Sequence, residues 1–128
     1  MMPLLLRRPG LRWAAAAALA VIVLAACGQT TRVGPSRTFQ VALTEYHVAP
    51  QSVRVPAGTV SIFVHNYGRL SHNLVISTGA RPLASTQPIP PGETTELIAP
   101  LVPGTYLMAS TVLSDQALGA YGTLTVTR

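Results

Sequence analysis

From Phe39 onward, apolar and polar residues alternate in short segments. Phe39, Val41 and Leu43 alternate with Gln40, Ala42 and Thr44, and Val53 and Val55 with Ser52, Arg54 and Pro56. Val60, Ile62 and Val64 alternate with Ser61, Phe63 and His65, while Leu74 and Ile76 follow His72. Thr94 to Ala99, the stretch holding Tyr106 and Met108, and Leu124 with Val126 complete the series. A period of two puts alternate side chains on opposite faces of a strand, so these segments predict strands with one buried face. The punctuation is Pro56-Ala57-Gly58, Pro90-Pro91-Gly92 and Pro103-Gly104, all turn chemistry. Short strands about ten residues apart predict an all-β sandwich or barrel. Residues 78–92 carry little pattern and several prolines, and are expected to form an irregular surface excursion. No long helical period follows Cys27.

The front of the chain is different. Arg7, Arg8 and Arg12 precede a wholly apolar run from Ala14 to Ala26, the length of a signal-peptide core and short for a membrane span. It closes in Leu24-Ala25-Ala26-Cys27, which resembles a bacterial lipobox. That resemblance implies cleavage before Cys27, lipidation of its thiol and retention on a membrane. The competing reading is a buried apolar helix with an incidental thiol. The expected organisation is a signal peptide over 1–26, a lipidated Cys and polar tether over 27–37, and one domain over 38–128, large enough for a modest core.

This division changes what composition says. Cys27 is the only cysteine, so no intrachain disulfide can form. The chain has nine Arg, no Lys and a net charge of +5. With the first segment removed, six scattered Arg face Glu45, Glu93, Glu96 and Asp115, a net of +2. Nucleic-acid binders cluster their basic residues, so no nucleic-acid partner is expected.

Two motifs carry the chemistry. Asn66-Tyr67-Gly68-Arg69-Leu70-Ser71-His72-Asn73 fits the pattern N-x-G-x-x-x-H-N. Gly104 to Val126 fits G-T-Y-x-x-x-C-x-x-x-x-H-x-x-x-x-M-x-G-x-L-x-V, except at three positions. Both patterns resemble those of cupredoxins of the plastocyanin and azurin kind. The resemblance implies a Greek-key fold of roughly seven or eight strands over Phe39 to Thr127. It also implies that His72 matches the first copper ligand, with Ser110 where the Cys should be, Asp115 where the second His should be, and Ala120 where the Met should be. In a blue-copper site two His and a thiolate hold the metal, often with a weak axial Met. A Ser hydroxyl stays protonated and is a poor soft-metal ligand, Asp is a hard oxygen donor, and Ala offers nothing.

Three readings of His72, Ser110 and Asp115 follow. In the first, hydrogen bonds replace the metal and satisfy the buried polar groups. In the second, His72 with Asp115 or another His binds copper or zinc at a non-type-1 site, although structural zinc ordinarily takes four ligands. In the third, Ser, His and Asp form a nucleophilic relay, which would also need an oxyanion hole and a cleft. His47 and His65 fall on the outer phase of their strands and are expected at the surface; Met108 shares a phase with Tyr106 and is expected in the core.

Tyr67, Arg69, Leu70, Leu113, Leu118 and Tyr121 lie in the loops around these positions. Either they form an apolar face for an envelope protein partner, or they fill the space left by copper. Taken together, the sequence leads to an exported, non-enzymatic binding or accessory domain without a cofactor. It is expected to be held by Cys27 on the cell membrane or outer membrane, with the domain in the periplasm or outside the cell. Copper binding or trafficking around His72 is the alternative, and blue-copper electron transfer a more distant one.

Overall fold

The computed structural model describes residues 29–128. The expected signal peptide and Cys27 lie outside the described residues. Among the described residues no helix is long and apolar enough to cross a membrane.

Ten strands build two mixed sheets: β1 Thr31–Arg32, β2 Thr38–Thr44, β3 His47–Ala49, β4 Ser52–Pro56, β5 Gly58–Asn66, β6 Val75–Thr78, β7 Arg81–Ser85, β8 Thr94–Leu101, β9 Gly104–Ala109 and β10 Tyr121–Thr127. One sheet has the order β1-β4-β10-β9-β6-β7 and the other β3-β2-β5-β8. The alternating residues do what their period dictates. Val41, Leu43, Val60, Ile62, Val64, Leu97 and Ala99 line the inner face of the second sheet. Val53, Val55, Ile76, Tyr106, Met108, Leu124 and Val126 line that of the first, and all are buried in one core. Each fully buried aliphatic side chain contributes about 2 kcal/mol of transfer free energy, so this interleaved layer is what holds the sheets together. Tyr106 turns its hydroxyl onto the carbonyl of Val102 at 2.7 Å, which satisfies the one polar group it brings inward.

The strand count exceeds the expected seven to eight, because the additional strands are short or peripheral and carry no clean alternation. β7 lies inside residues 78–92, where an irregular excursion was expected. It is an exposed edge strand paired only to β6, after a turn in which Gly79 takes a positive φ of 58°. With one side of β7 unpaired, Pro82 is accommodated at the edge, and the absence of a buried face removes the period-two signal. β1 falls within the segment read as a tether. Thr31 and Arg32 run parallel to Val53 and Arg54, and the Val33 amide donates to the Arg54 carbonyl at 2.8 Å. That segment is therefore fastened to the sheet edge along Thr31 to Val33.

Five connections converge on one end of the sandwich. These are the β2–β3 turn at Glu45-Tyr46, the β3–β4 link at Pro50-Gln51, the β5–β6 segment from Tyr67 to Leu74, the β7–β8 segment from Thr86 to Glu93, and the β9–β10 loop from Ser110 to Ala120.

Candidate functional site

Asn66, the last residue of β5, organises this end. Its side chain is fully buried, donates to the carbonyls of Leu70 and Ile89 at 2.8 Å each, and accepts the amide of Gly68 at 2.8 Å. The β5–β6 segment is thereby folded back over β5, and His72 is set against Ile89 in a two-residue bridge. The Ser110–Ala120 loop is wound into successive tight turns: the Asp115 amide donates to the Val112 carbonyl, and the Leu118 amide approaches the carbonyls of Ser114 and Asp115. It closes where the Ser110 amide donates to the Ala120 carbonyl at 3.0 Å and the Ala120 amide to the Asp115 carbonyl at 2.9 Å. This winding points the Asp115 carboxylate inward.

The result is a short chain of hydrogen bonds. Asp115 Oδ2 lies 2.6 Å from Nδ1 of His72 and accepts the Ser110 hydroxyl at 2.7 Å. His72 and Ser110 are 1% exposed, and Asp115 7%. On the opposite edge of the ring, Nε2 lies 3.2 Å from Glu45 Oε1. That oxygen also accepts the amides of Arg69 at 2.6 Å and Leu70 at 2.9 Å. These two amides, Leu70 first, lower the Glu45 pKa from 4.5 to about 2, with His72 adding to the effect and partial desolvation opposing it. Asn73 fastens the neighbouring backbone, its Oδ1 accepting the Thr111 amide at 2.7 Å. Among the described residues no buried side-chain nitrogen or oxygen lacks a partner.

The fold thus brings together His72, Ser110 and Asp115 from segments far apart in the chain. Ala120 is buried beside them and contributes only backbone bonds. His47 is exposed on β3. His65 lies on the outer phase of β5, its Nδ1 bonded to the Thr94 hydroxyl and its ring centroid 4.1 Å from that of Tyr67. Neither joins the cluster. Met108 is fully buried in the core. Glu45 is the residue that sequence reading missed. Nothing marks a single carboxylate in a hairpin turn, and only the return of the Arg69-Leu70 backbone gives it a role.

These donors do not fit type-1 copper. The direct 2.6 Å bond between Nδ1 and Asp115 leaves no space for an ion on that edge of the ring, Ser110 brings a hydroxyl engaged by the same carboxylate, and Ala120 brings no donor. Glu45 and Asp115 stand on opposite ring edges, so the three groups do not converge on a point. Accordingly, no three His, Cys, Asp or Glu side chains among the described residues are gathered to hold a metal ion. A nucleophilic relay fails on order. Ser110 donates its hydrogen bond to the carboxylate rather than to the imidazole, so the imidazole does not face the hydroxyl as a relay requires.

Around the cluster the loops present apolar side chains outward. Leu113 is 93% exposed with φ of 52°, Tyr67 68%, Leu70 58% and Leu118 56%. These residues project from the surface and do not fill the interior.

A Greek-key-like β-sandwich with a His-centred loop at one end defines a class, and the comparisons agree. The sequence profile of the cupredoxin-like domain matches residues 17–126, and the chain belongs to that family. Among solved structures it is similar to dithionite-reduced auracyanin from Roseiflexus castenholzii, with 26% identity, TM-score 0.64, and coverage of 74% of this chain and 100% of that one. It is similar in fold to auracyanin A of Chloroflexus aurantiacus, described as a "blue" copper protein, at 21% identity, TM-score 0.64, and 75% and 99% coverage. Reduced rusticyanin shares the fold at 19% identity, TM-score 0.63, and 78% and 85% coverage. Comparison with curated proteins gives no match.

Proposed function

We propose that this chain is a non-enzymatic, membrane-tethered cupredoxin-like domain of the cell envelope that works as a binding or accessory module without a type-1 copper site. The observation that carries the proposal is the Ser110–Asp115–His72 chain. A carboxylate occupies Nδ1 directly, and every polar group at the former ligand positions is satisfied without a metal. The basic and apolar start of the sequence, ending in Leu24-Ala25-Ala26-Cys27, supports export and a lipid anchor. The outward-facing Leu and Tyr side chains around the site support a docking role.

Titration with Cu²⁺, Cu⁺ and Zn²⁺, followed by calorimetry and visible absorption, tests the metal-free reading. The expected outcome is no stoichiometric binding and no intense blue band. Stoichiometric binding that disappears in His72→Ala would overturn it and assign the domain to copper or zinc handling.

A further inference from the structure

The position of the chain's start gives the docking surface a partner. β1, β4 and β10 are mutually parallel, and β10 runs away from the His72 end, beginning at Tyr121 directly after the Ser110–Ala120 loop. Thr31 is in register with Val53, and Val53 with Leu124. One residue earlier, the Thr30 hydroxyl meets that of Ser52 at 3.1 Å, and Ser52 is level with Thr123. Traced backward, the chain therefore climbs the sheet edge toward the His72 end. Only Gly28 separates Cys27 from Gln29. At about 3.5 Å per residue, the three steps between Thr30 and Cys27 can span at most about 11 Å.

Exposed apolar side chains concentrate at that same end. Of the ten large hydrophobic residues exposed among the described residues, six belong to it: Tyr46, Tyr67, Leu70, Leu113, Leu118 and Tyr121. They come from three separate connections and the start of β10, and the Asp115–His72 and Glu45 bonds tie those connections together. Leu113 holds a left-handed backbone conformation that a leucine adopts at a cost, and this conformation places the side chain almost wholly outside the domain. Tyrosine and leucine together suit a bilayer interface, where the ring hydroxyl stays wet and the apolar part enters the acyl boundary. Arg69 stands on the same rim as a cation for lipid phosphates, and the nearby Glu45 carboxylate is already engaged by backbone amides.

We infer that the His72 end is a membrane-docking face: the apolar rim seats on the bilayer beside the anchor, so that the domain lies against the membrane with its opposite end outward. This rests on the lipid-anchor reading of Cys27. A short tether with one fastened end holds this rim near the lipid surface at high effective concentration, and a weak interfacial contact then suffices to orient the domain.

The test uses the full chain, expressed with its native start, purified from membranes and placed in phosphatidylethanolamine–phosphatidylglycerol vesicles carrying brominated acyl chains. The only tryptophan, Trp13, lies before Cys27, so the processed chain gives a dark background for Leu113→Trp at the rim and Val102→Trp at the opposite end, both exposed sites. The mass of the N-terminal peptide reads lipidation independently. The inference expects a lipidated peptide, Leu113→Trp fluorescence quenched at least twofold and blue-shifted, and Val102→Trp unquenched. A lipidated peptide with Leu113→Trp unquenched, or with both positions quenched alike, overturns the docking face while leaving the anchor standing, and an unquenched rim would be free for a protein partner. An unlipidated peptide overturns the anchor reading, and the docking face falls with it.

Discussion

Two buried polar clusters stand side by side at the loop end, and they are built on different principles. The Asn66 cluster is neutral. One amide side chain serves two carbonyls and one N–H, and every partner is backbone. The Asp115–His72–Glu45 cluster is ionisable, links side chains from three connections, and includes, at His72 and Asp115, positions where the family resemblance implies metal ligands. The first shapes a loop whatever occupies the site. The second joins separate loops through side chains alone. A sandwich end is held in shape when a carboxylate takes the ring nitrogen and a hydroxyl takes the carboxylate.

The comparison breaks most severely at Asp115. Asp115→Ala removes the only acceptor near Nδ1 of His72 and the shortest partner of the Ser110 hydroxyl, both buried. Urea unfolding is expected to show a loss of about 3 kcal/mol. A loss under 1 kcal/mol would mean that the cluster is not what joins these loops.

Asn66→Ala orphans the Leu70 carbonyl and the Gly68 amide and leaves the Ile89 carbonyl only the His72 amide at 3.3 Å, for an expected loss of about 2 kcal/mol in the same measurement. Because an amide does not titrate, this loss should be equal at pH 5 and pH 8. A marked pH dependence would show the two clusters to be coupled.

The smallest effect is that of Glu45→Gln; it is present at neutral pH and fades in acid. The Glu45 pKa is about 2 in the folded chain against an ordinary 4.5, so the unfolded chain takes up this proton first as pH falls. The stability it contributes is complete above pH 4.5 and is lost as pH falls through 2. Glu45→Gln should flatten the stability profile between those limits. An unchanged slope there would remove Glu45 from the account of the site.

The candidate site was partly legible before the structure. Asn66, His72 and Ser110 were placed by motif spacing, because spacing within a loop between two paired strands fixes where each residue falls relative to the strand ends. Asp115 could be assigned a position but not a direction, since the turns of the Ser110–Ala120 loop, and not its length, aim the carboxylate at His72. Glu45 was invisible. Its amide partners lie 24 and 25 residues away in sequence, and no local pattern registers a contact of that kind.

By itself, the sequence determined the all-β class, the inward faces of most strands and the presence of Ser110, Asp115 and Ala120 at three motif positions, since period and residue chemistry are local properties. Tertiary structure decided the rest. Strands too short or too exposed to alternate, such as β1, β3 and β7, exist only because a neighbour offers a ladder. The order Ser–Asp–His, the capture of Glu45 and the gathering of the apolar rim depend on which loops share an end of the sandwich. That is set by long-range pairing, in which residues distant in sequence become neighbours and each hydrogen bond forms between groups that no short window of sequence contains.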